Sequence, residues 1–158
     1  MSTDKTELSP QALASLHDDP FYKAYNGYFS GILRWEQLDS FWIQVTKNTK
    51  ATWFIYAVGE IPPENPVAID EVKRFIREVD QLLRREHDED YCGIVYANNI
   101  EEPTFIKIFD PNNLGTACGS SEAPPLPGWI LSQIKPVDLP SAFPLPNNRK
   151  RWWKSIFR

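Results

Sequence analysis

The feature that most limits how this chain can fold is a long amphipathic helix predicted over residues 67–87. Apolar side chains recur there at helical spacing, and the opposite face is charged. The apolar stripe consists of Ile69, Val72, Phe75, Ile76, Val79, Leu82 and Leu83. A helix with one such stripe has to pack on the apolar face of another element, so the rest of the chain must supply that face.

Two apolar segments are predicted to contribute strands to that face. Residues 52–58 form a continuous run of β-branched and aromatic side chains, which indicates a strand buried on both faces. Residues 129–134 are a further strand candidate, shortly before the proline-rich residues 136–148.

A β-hairpin is predicted between these two segments. Residues 91–97 and 104–109 have strand character and are joined by a short polar turn. In the second of them, alternation places Phe105 and Lys107 on one face and the intervening isoleucines on the other.

Helix signals precede the first strand. Ser9-Pro10 and Asp19-Pro20 each combine an N-cap residue with proline at the first helical position, and residues 34–46 carry apolar side chains at helical spacing. The order of elements predicts an α+β fold, a mainly antiparallel sheet of about four strands with helices packed on one face. The long helix would also allow a parallel pairing of the first two strands through a right-handed crossover.

The domain organisation follows from proline and charge content. Residues 1–8 are expected to be disordered, and residues 9–135 to form a single α+β domain. Residues 136–148 contain four prolines and predict an extended arm, which is followed by a basic and aromatic segment at residues 149–158.

The basic-aromatic segment, residues 149–158, differs in chemistry from the rest of the chain. Its basic residues are Arg149, Lys150, Arg151, Lys154 and Arg158, and its large apolar residues are Trp152, Trp153, Ile156 and Phe157. The chain has 17 Lys and Arg against 21 Asp and Glu, so 12 basic residues remain against 21 acidic ones outside the segment. An acidic body of charge −9 therefore carries a segment of charge +5.

Such a segment suits a surface that combines apolar depth with negative charge. A protein partner is the first expectation, with docking on the protein's own body as a variant of it. An anionic membrane surface is the second, and nucleic acid is the third and is disfavoured because the acidic body would repel it. The main functional hypothesis is a non-catalytic accessory or regulatory protein that binds through residues 149–158. The oligomeric state is not indicated.

A second hypothesis places a small-ligand site or an enzyme site in a short polar loop. The loop residues concerned are Gly115, Thr116, Cys118, Gly119, Ser120 and Ser121. Small residues allow backbone N–H groups to face an anion, and a thiol with a lowered pKa can act as a nucleophile. The loop matches no phosphate-binding pattern and has no histidine nearby, so an irregular loop with Cys118 as a small apolar side chain is the favoured interpretation.

No catalytic residues, metal ligands or cofactor are predicted. His87 is followed by three acidic residues, but consecutive residues at a helix end point in different directions and are more typical of a solvated terminus. Cys92 is expected to be buried. The polar start of the sequence and the absence of a long apolar run favour a cytoplasmic protein without a membrane span.

The region before residue 46 is rich in aromatic residues and allows two interpretations. The residues are Tyr22, Tyr25, Tyr28, Phe29, Trp35, Phe41 and Trp42. The favoured one is a layer that covers the sheet. The alternative is that some of them line a groove for a partner, because tyrosine and tryptophan are effective interface anchors.

Overall fold

The structure is a computed structural model that describes residues 18–113 and 126–139. Its elements are α1 (Pro20–Tyr25), β1 (Ser30–Ile32), α2 (Trp35–Val45), β2 (Phe54–Ala57), α3 (Ile69–Glu86), β3 (Val95–Ala97), β4 (Phe105–Ile108), a 3-10 helix (Pro111–Asn113) and β5 (Trp129–Ser132). The predicted α+β class is confirmed. The described residues form five strands rather than four.

The five strands form one antiparallel sheet in the order β1-β3-β4-β5-β2. The predicted hairpin is confirmed as β3 and β4, and β5 continues it on the other side of β4. The two strands that come first in the chain lie at the two edges. The alternative parallel pairing across α3 does not occur, because β2 pairs with β5 and not with β3.

Strand β1 is the one the sequence patterns do not predict. It has three residues and pairs antiparallel with β3, with Gly31 opposite Tyr96. A Cβ atom at Gly31 would lie 2.9 Å from Cε2 of Tyr96, so this position accommodates the tyrosine ring only because it has no side chain. Glycine weakens a strand signal in the sequence, and here the close approach of the ring requires it.

One face of the sheet is covered by α2 and α3. All seven residues of the predicted stripe on α3 are buried, and Leu38, Phe41, Trp42 and Val45 contribute the buried face of α2. These side chains form one apolar cluster with inward residues of all five strands. Burial of each large side chain contributes about 1.5–3 kcal/mol, which makes this face the main source of stability.

Polar contacts join α2 to α3 at the edge of this cluster. The Arg84 guanidinium contacts Asp39 at 2.7 Å and Asp80 at 3.0 Å, and it lies 5.0 Å from the ring centroid of Trp35. The indole Nε1–H of Trp42 donates to Asp80 Oδ1 at 3.0 Å. Asp80 therefore accepts hydrogen bonds from two donors, the buried indole of Trp42 on α2 and the more exposed guanidinium of Arg84.

The opposite face of the sheet has its own apolar cluster. Phe21 from α1 packs there with Tyr56, Val58, Phe105, Ile130 and Leu139. Helix α1 begins where the Asp19-Pro20 signal predicts, because the Asp19 side chain accepts a hydrogen bond from Phe21 N–H at 2.8 Å. Helix packing is thus not confined to one face, since the two longer helices and α1 lie on opposite sides.

Two predicted elements are shorter in the structure for identifiable reasons. Helix α3 begins at Ile69 because Val67 exchanges two backbone hydrogen bonds with Trp53, beside the outer edge of β2. Strand β3 begins at Val95 because Gly93 has a φ of 67°, outside the strand region. Of the helices that the described residues form, none combines the length and apolar character needed to cross a membrane.

Candidate functional site

Both candidate sites named from the sequence lie outside the described residues. This holds for residues 149–158 and for the loop residues Gly115, Thr116, Cys118, Gly119, Ser120 and Ser121. The predicted helix start at Ser9-Pro10 lies outside them as well. The described residues do define the positions from which the loop and the basic-aromatic segment leave the body.

The loop containing Cys118 connects β4 to β5. On one side of it the Asp110 side chain is buried and accepts a hydrogen bond from Asn112 N–H at 3.0 Å. On the other side Gly128 N–H donates to Ile108 O, and a Cβ atom at Gly128 would lie 3.1 Å from Cβ of Asp110. The two ends of the loop are therefore held against each other at the end of the β4–β5 pair.

The segment leading to residues 149–158 leaves from the second face of the sheet. Leu139 is 2% exposed, and its N–H donates to the Tyr56 hydroxyl oxygen at 3.3 Å. Ser132 Oγ exchanges two hydrogen bonds with the backbone of Ile134, and Lys135 contacts Glu64 at 3.1 Å. The packed part of the described chain therefore extends to Leu139, beyond Pro136, the first proline of the predicted arm.

Among the described residues, the most unusual polar side chain is Lys107 on β4. It lies on the same face as Phe105, as the alternation predicts, and this face carries the second apolar cluster. Its ammonium Nζ is 4.0 Å from the ring centroid of Tyr25 and 3.9 Å from that of Phe29. Within residues 18–113 and 126–139, no carboxylate lies within ion-pair distance of it.

Several elements hold this lysine and its two aromatic neighbours in place. Strand β4 is bonded on both sides, and Tyr96 lies directly opposite Lys107 on β3. The Asp19 cap fixes the start of α1, which carries Tyr25, and Phe29 follows the helix. Both rings also contact Phe105, at centroid distances of 6.4 and 5.6 Å. We refer to Tyr25, Phe29 and Lys107 as the lysine–aromatic site.

Burial governs the titration of this face. It lowers the pKa of Lys107 to about 8, because water is removed from the ammonium group. It raises the pKa of Tyr25 to about 12, with a smaller contribution from Tyr22. It also raises the pKa of Tyr56 to about 12, where Asp138 adds to the effect. Burial on this face thus shifts the pKa of each of these three groups in the direction of its neutral form.

The histidine and cysteine of the described chain do not form a metal site. The His87 ring lies between Trp35 and Tyr91, at centroid distances of 6.1 and 5.9 Å. Cys92 is a free, fully buried thiol, and burial raises its pKa, which favours an unreactive thiol. Nowhere in residues 18–113 and 126–139 do three histidine, cysteine or acidic side chains come together in a way that could hold a metal ion.

The aromatic residues before residue 46 are divided between the two faces. Phe41 and Trp42 belong to the cluster under the two long helices, and Trp35 packs at its edge. Tyr22, Tyr25 and Phe29 pack on the cluster of the second face. Tyr28 is 96% exposed and covers neither face. Most of these aromatic residues therefore cover one face of the sheet or the other, which is the interpretation that the sequence favours.

Comparison with known proteins adds no relative. No protein-family model matches the chain. No curated protein and no solved structure matches it. Functional inference therefore rests on the chemistry of the chain itself.

The lysine–aromatic site is not among the sites predicted from the sequence. One signal was present, because Lys107 interrupts an otherwise apolar strand on the face that it shares with Phe105. The two rings come from a different part of the chain, about 80 residues earlier, and no local pattern links them to β4.

Proposed function

We propose that this protein is a non-catalytic accessory protein that binds a protein partner through residues 149–158. The observation that carries the proposal is the reversal of charge between the body and this segment. The described residues contain 18 acidic and 11 basic side chains, whereas residues 149–158 contain five basic side chains and none that is acidic. A binding site of matching chemistry is an acidic groove with apolar pockets for Trp152 and Trp153.

The anchoring of the chain at Leu139 supports this proposal. Leu139 is buried in the apolar cluster of the second face, and its N–H donates to the Tyr56 hydroxyl oxygen. Nine residues separate it from Arg149, three of them proline. A stretch of that length spans at most about 30 Å, so the basic-aromatic segment begins within about that distance of the second face of the sheet.

A folded partner fits the charge pattern better than an extended anionic surface. The described body has a net charge of −7, so it is repelled by a uniformly anionic membrane or by nucleic acid. A protein groove can confine its acidic groups to the place where the basic segment binds. Screening limits the repulsion between the two bodies to about 8–10 Å at physiological salt.

The test uses the full chain beside two matched variants. In the first, Arg149, Lys150, Arg151, Lys154 and Arg158 are changed to glutamine. In the second, five exposed cations of the body are changed instead: Lys23, Lys47, Lys50, Lys73 and Arg77. Both variants change the net charge equally. Circular dichroism first establishes that each is folded. Proteins captured from a native cell lysate are then quantified by mass spectrometry.

The expected result is a defined set of captured proteins that the full chain and the second variant share and the first variant loses. Direct binding of the leading candidate is then measured with purified components, where the first variant should bind at least tenfold more weakly. Capture of the same proteins by all three chains contradicts the proposal and directs attention to Gly115–Ser121 with Cys118. Binding to anionic vesicles without any captured protein contradicts it in favour of a membrane surface.

A further inference from the structure

An exposed apolar surface lies where the end of α3 meets the start of α2. The Leu33 side chain is 62% exposed and that of Tyr91 is 54% exposed. Two partly buried rings lie beside them, because the His87 ring is in edge contact with both Tyr91 and Trp35. Single exposed apolar residues are ordinary on a protein surface, but several that adjoin one another mark a contact surface.

Hydrogen bonds hold the backbone around this surface in place. The indole Nε1–H of Trp35 donates to Glu89 O at 3.0 Å, which fixes the segment after α3 against the start of α2. Cys92 N–H donates to Leu33 O at 2.7 Å, so Leu33 and Tyr91 lie on adjoining backbone. The surface is therefore formed before anything binds to it, and binding requires little further ordering.

The rim of this surface is acidic. It carries four exposed carboxylates, which belong to Glu36, Asp88, Glu89 and Asp90. None of the four makes an ion pair with another described residue. Arg84 and Arg85, in the last turn of α3, are already paired with other carboxylates. Arg34 is exposed and offsets one of the four charges, so the rim remains negative. We refer to Leu33, Trp35, His87 and Tyr91, together with the four carboxylates, as the acidic–aromatic surface.

We propose that the acidic–aromatic surface is the docking site for residues 149–158 of the same chain. That segment carries five cations and two adjacent tryptophans, so its charge matches the rim and its aromatic side chains match the centre of the surface. Its cations are also attracted by exposed ring faces such as that of Tyr91. The contact regulates the proposed function, on which this role rests, because a partner has to displace the body before it can bind the same residues.

The length of the connecting chain permits this contact. Leu139 is anchored on Tyr56 of β2, and the acidic–aromatic surface adjoins β1 at the opposite edge of the sheet. Four neighbouring strand pairs of about 4.8 Å each separate these edges by about 19 Å. The nine residues between Leu139 and Arg149 span at most about 30 Å. The basic-aromatic segment can therefore reach the surface without any rearrangement of the body.

Tethering compensates for the weakness of a contact between exposed groups. Individual exposed ion pairs contribute little and are screened by salt. A short tether keeps the segment at an effective concentration in the millimolar range, so that even a millimolar affinity leaves about half of the molecules docked. Such a contact occupies the segment and still allows a partner to displace it.

Photo-crosslinking of the full chain tests where the segment docks. Phe157→p-benzoylphenylalanine places a photoreactive group in the segment, and crosslinked peptides are identified by mass spectrometry after irradiation at low salt. A mixture of ¹⁵N-labelled and unlabelled chains shows whether the linked peptides come from one molecule or from two. We expect links to residues 33–36 and 87–91 within one molecule, with a yield that falls when the salt concentration is raised to about 0.5 M.

A matched pair of charge variants tests the role of the rim. Conversion of the three carboxylates of residues 88–90 to the corresponding amides should lower the crosslink yield by at least about fivefold. The same conversion at Asp18, Glu101 and Glu102, which are exposed and make no ion pair among the described residues, should leave the yield unchanged. Both variants change the net charge equally, and circular dichroism verifies that each is folded.

A matched pair of tyrosine variants tests the apolar centre. Tyr91→Ala should lower the crosslink yield severalfold, because it removes the exposed ring of the surface. Tyr28→Ala removes a tyrosine that is also exposed but has no charged residue within four positions in the sequence, and it should leave the yield unchanged.

The outcomes separate this contact from the proposed function. Absence of links, links elsewhere on the body, or a yield that the change at residues 88–90 leaves unaltered would overturn the proposal. Links between two molecules would assign the surface to the segment of a second copy and overturn docking within one chain. Neither result removes the proposed function, since a partner can bind a segment that never docks. Conversely, the crosslink is measured without any partner. A partner identified by lysate capture should bind the variant at residues 88–90 about twofold more tightly, because its segment is no longer occupied, and equal binding would overturn the regulatory role.

Discussion

At the scale of single residues, burial sets the chemistry of the second sheet face. Lys107 on β4 and Tyr25 on α1 contact each other there, and burial shifts the pKa of each towards retention of the neutral form. At neutral pH a lysine with a pKa of about 8 is still mostly protonated, and its ammonium group is attracted by the ring faces of Tyr25 and Phe29, whose centroids lie 4.0 and 3.9 Å away. This explains how an apolar cluster tolerates a lysine.

The first residue-scale prediction concerns stability at alkaline pH. The folded pKa of Lys107 is about 8 and the ordinary value is 10.5, so between these values the unfolded chain binds more protons. The free energy of unfolding should therefore rise with pH from about 8 to 10. Above pH 10 it should fall, because the pKa values of Tyr25 and Tyr56 are raised to about 12 and the folded state then binds more protons.

Urea unfolding at pH 7.5, 8.5 and 9.5 measures this effect. Wild type should gain about 1 kcal/mol relative to Lys107→Met across the series, less than the full pKa shift implies because the side chain is partly exposed. Lys50→Met is the control and should follow wild type. Parallel curves for wild type and Lys107→Met would show that burial does not lower the pKa of Lys107.

At the scale of elements, two aspartates join α2 to α3, and we expect Asp80 to stabilise this contact more than Asp39 does. Asp80 is partly buried and accepts hydrogen bonds from both Trp42 and Arg84. Asp39 contacts the same Arg84 at 2.7 Å, but its side chain is 63% exposed. Short distance alone therefore does not identify the stronger contribution.

Replacement of each aspartate by alanine tests this difference. Asp80→Ala removes the acceptor of a part-buried indole N–H and should lower the free energy of unfolding by about 1–3 kcal/mol. Asp39→Ala removes an exposed pair and should lower it by less than about 1 kcal/mol. Both values come from chemical denaturation at pH 7. Equal losses would show that the exposed ion pair is as important as the buried hydrogen bond.

Elements with a long, regular sequence pattern were predicted correctly. Features that form only through contacts between distant parts of the chain were missed. The stripe of α3 and the hairpin β3–β4 follow from periodicity, and both are confirmed. Strand β1 was missed because it is three residues long and contains Gly31, whose presence only makes sense beside the ring of Tyr96. The lysine–aromatic site was missed because its rings and its amine meet only after the chain has folded.

At the scale of the whole molecule, the two clusters depend differently on the end of the described chain. Among residues 18–113 and 126–139, the cluster under α2 and α3 contains none that follows β5. The cluster of the second face includes Leu139 and the partly buried Ile134 and Val137. Removal of Leu139 should therefore weaken the face that carries Lys107.

The substitution Leu139→Ala and a truncation after Asn147 together test this dependence. Leu139→Ala should lower the free energy of unfolding by about 2–4 kcal/mol, since the leucine is 2% exposed. A chain that ends at Asn147 keeps this anchor and should remain within about 1 kcal/mol of the full chain. Thermal and urea unfolding report both. A large loss on truncation at Asn147 would mean that later residues belong to the folded body, against the proposed function.

The strand order also has a consequence for synthesis of the chain. Strands β1 and β2 are made first, but each pairs only with a strand from the last third of the described chain, β1 with β3 and β2 with β5. The centre of the sheet, β3-β4-β5, is made last. Pairing therefore has to wait until the hairpin leaves the ribosome, and until then the apolar stripe of α3 has no sheet to cover. During that interval the nascent chain exposes this stripe, which favours misassociation with other chains.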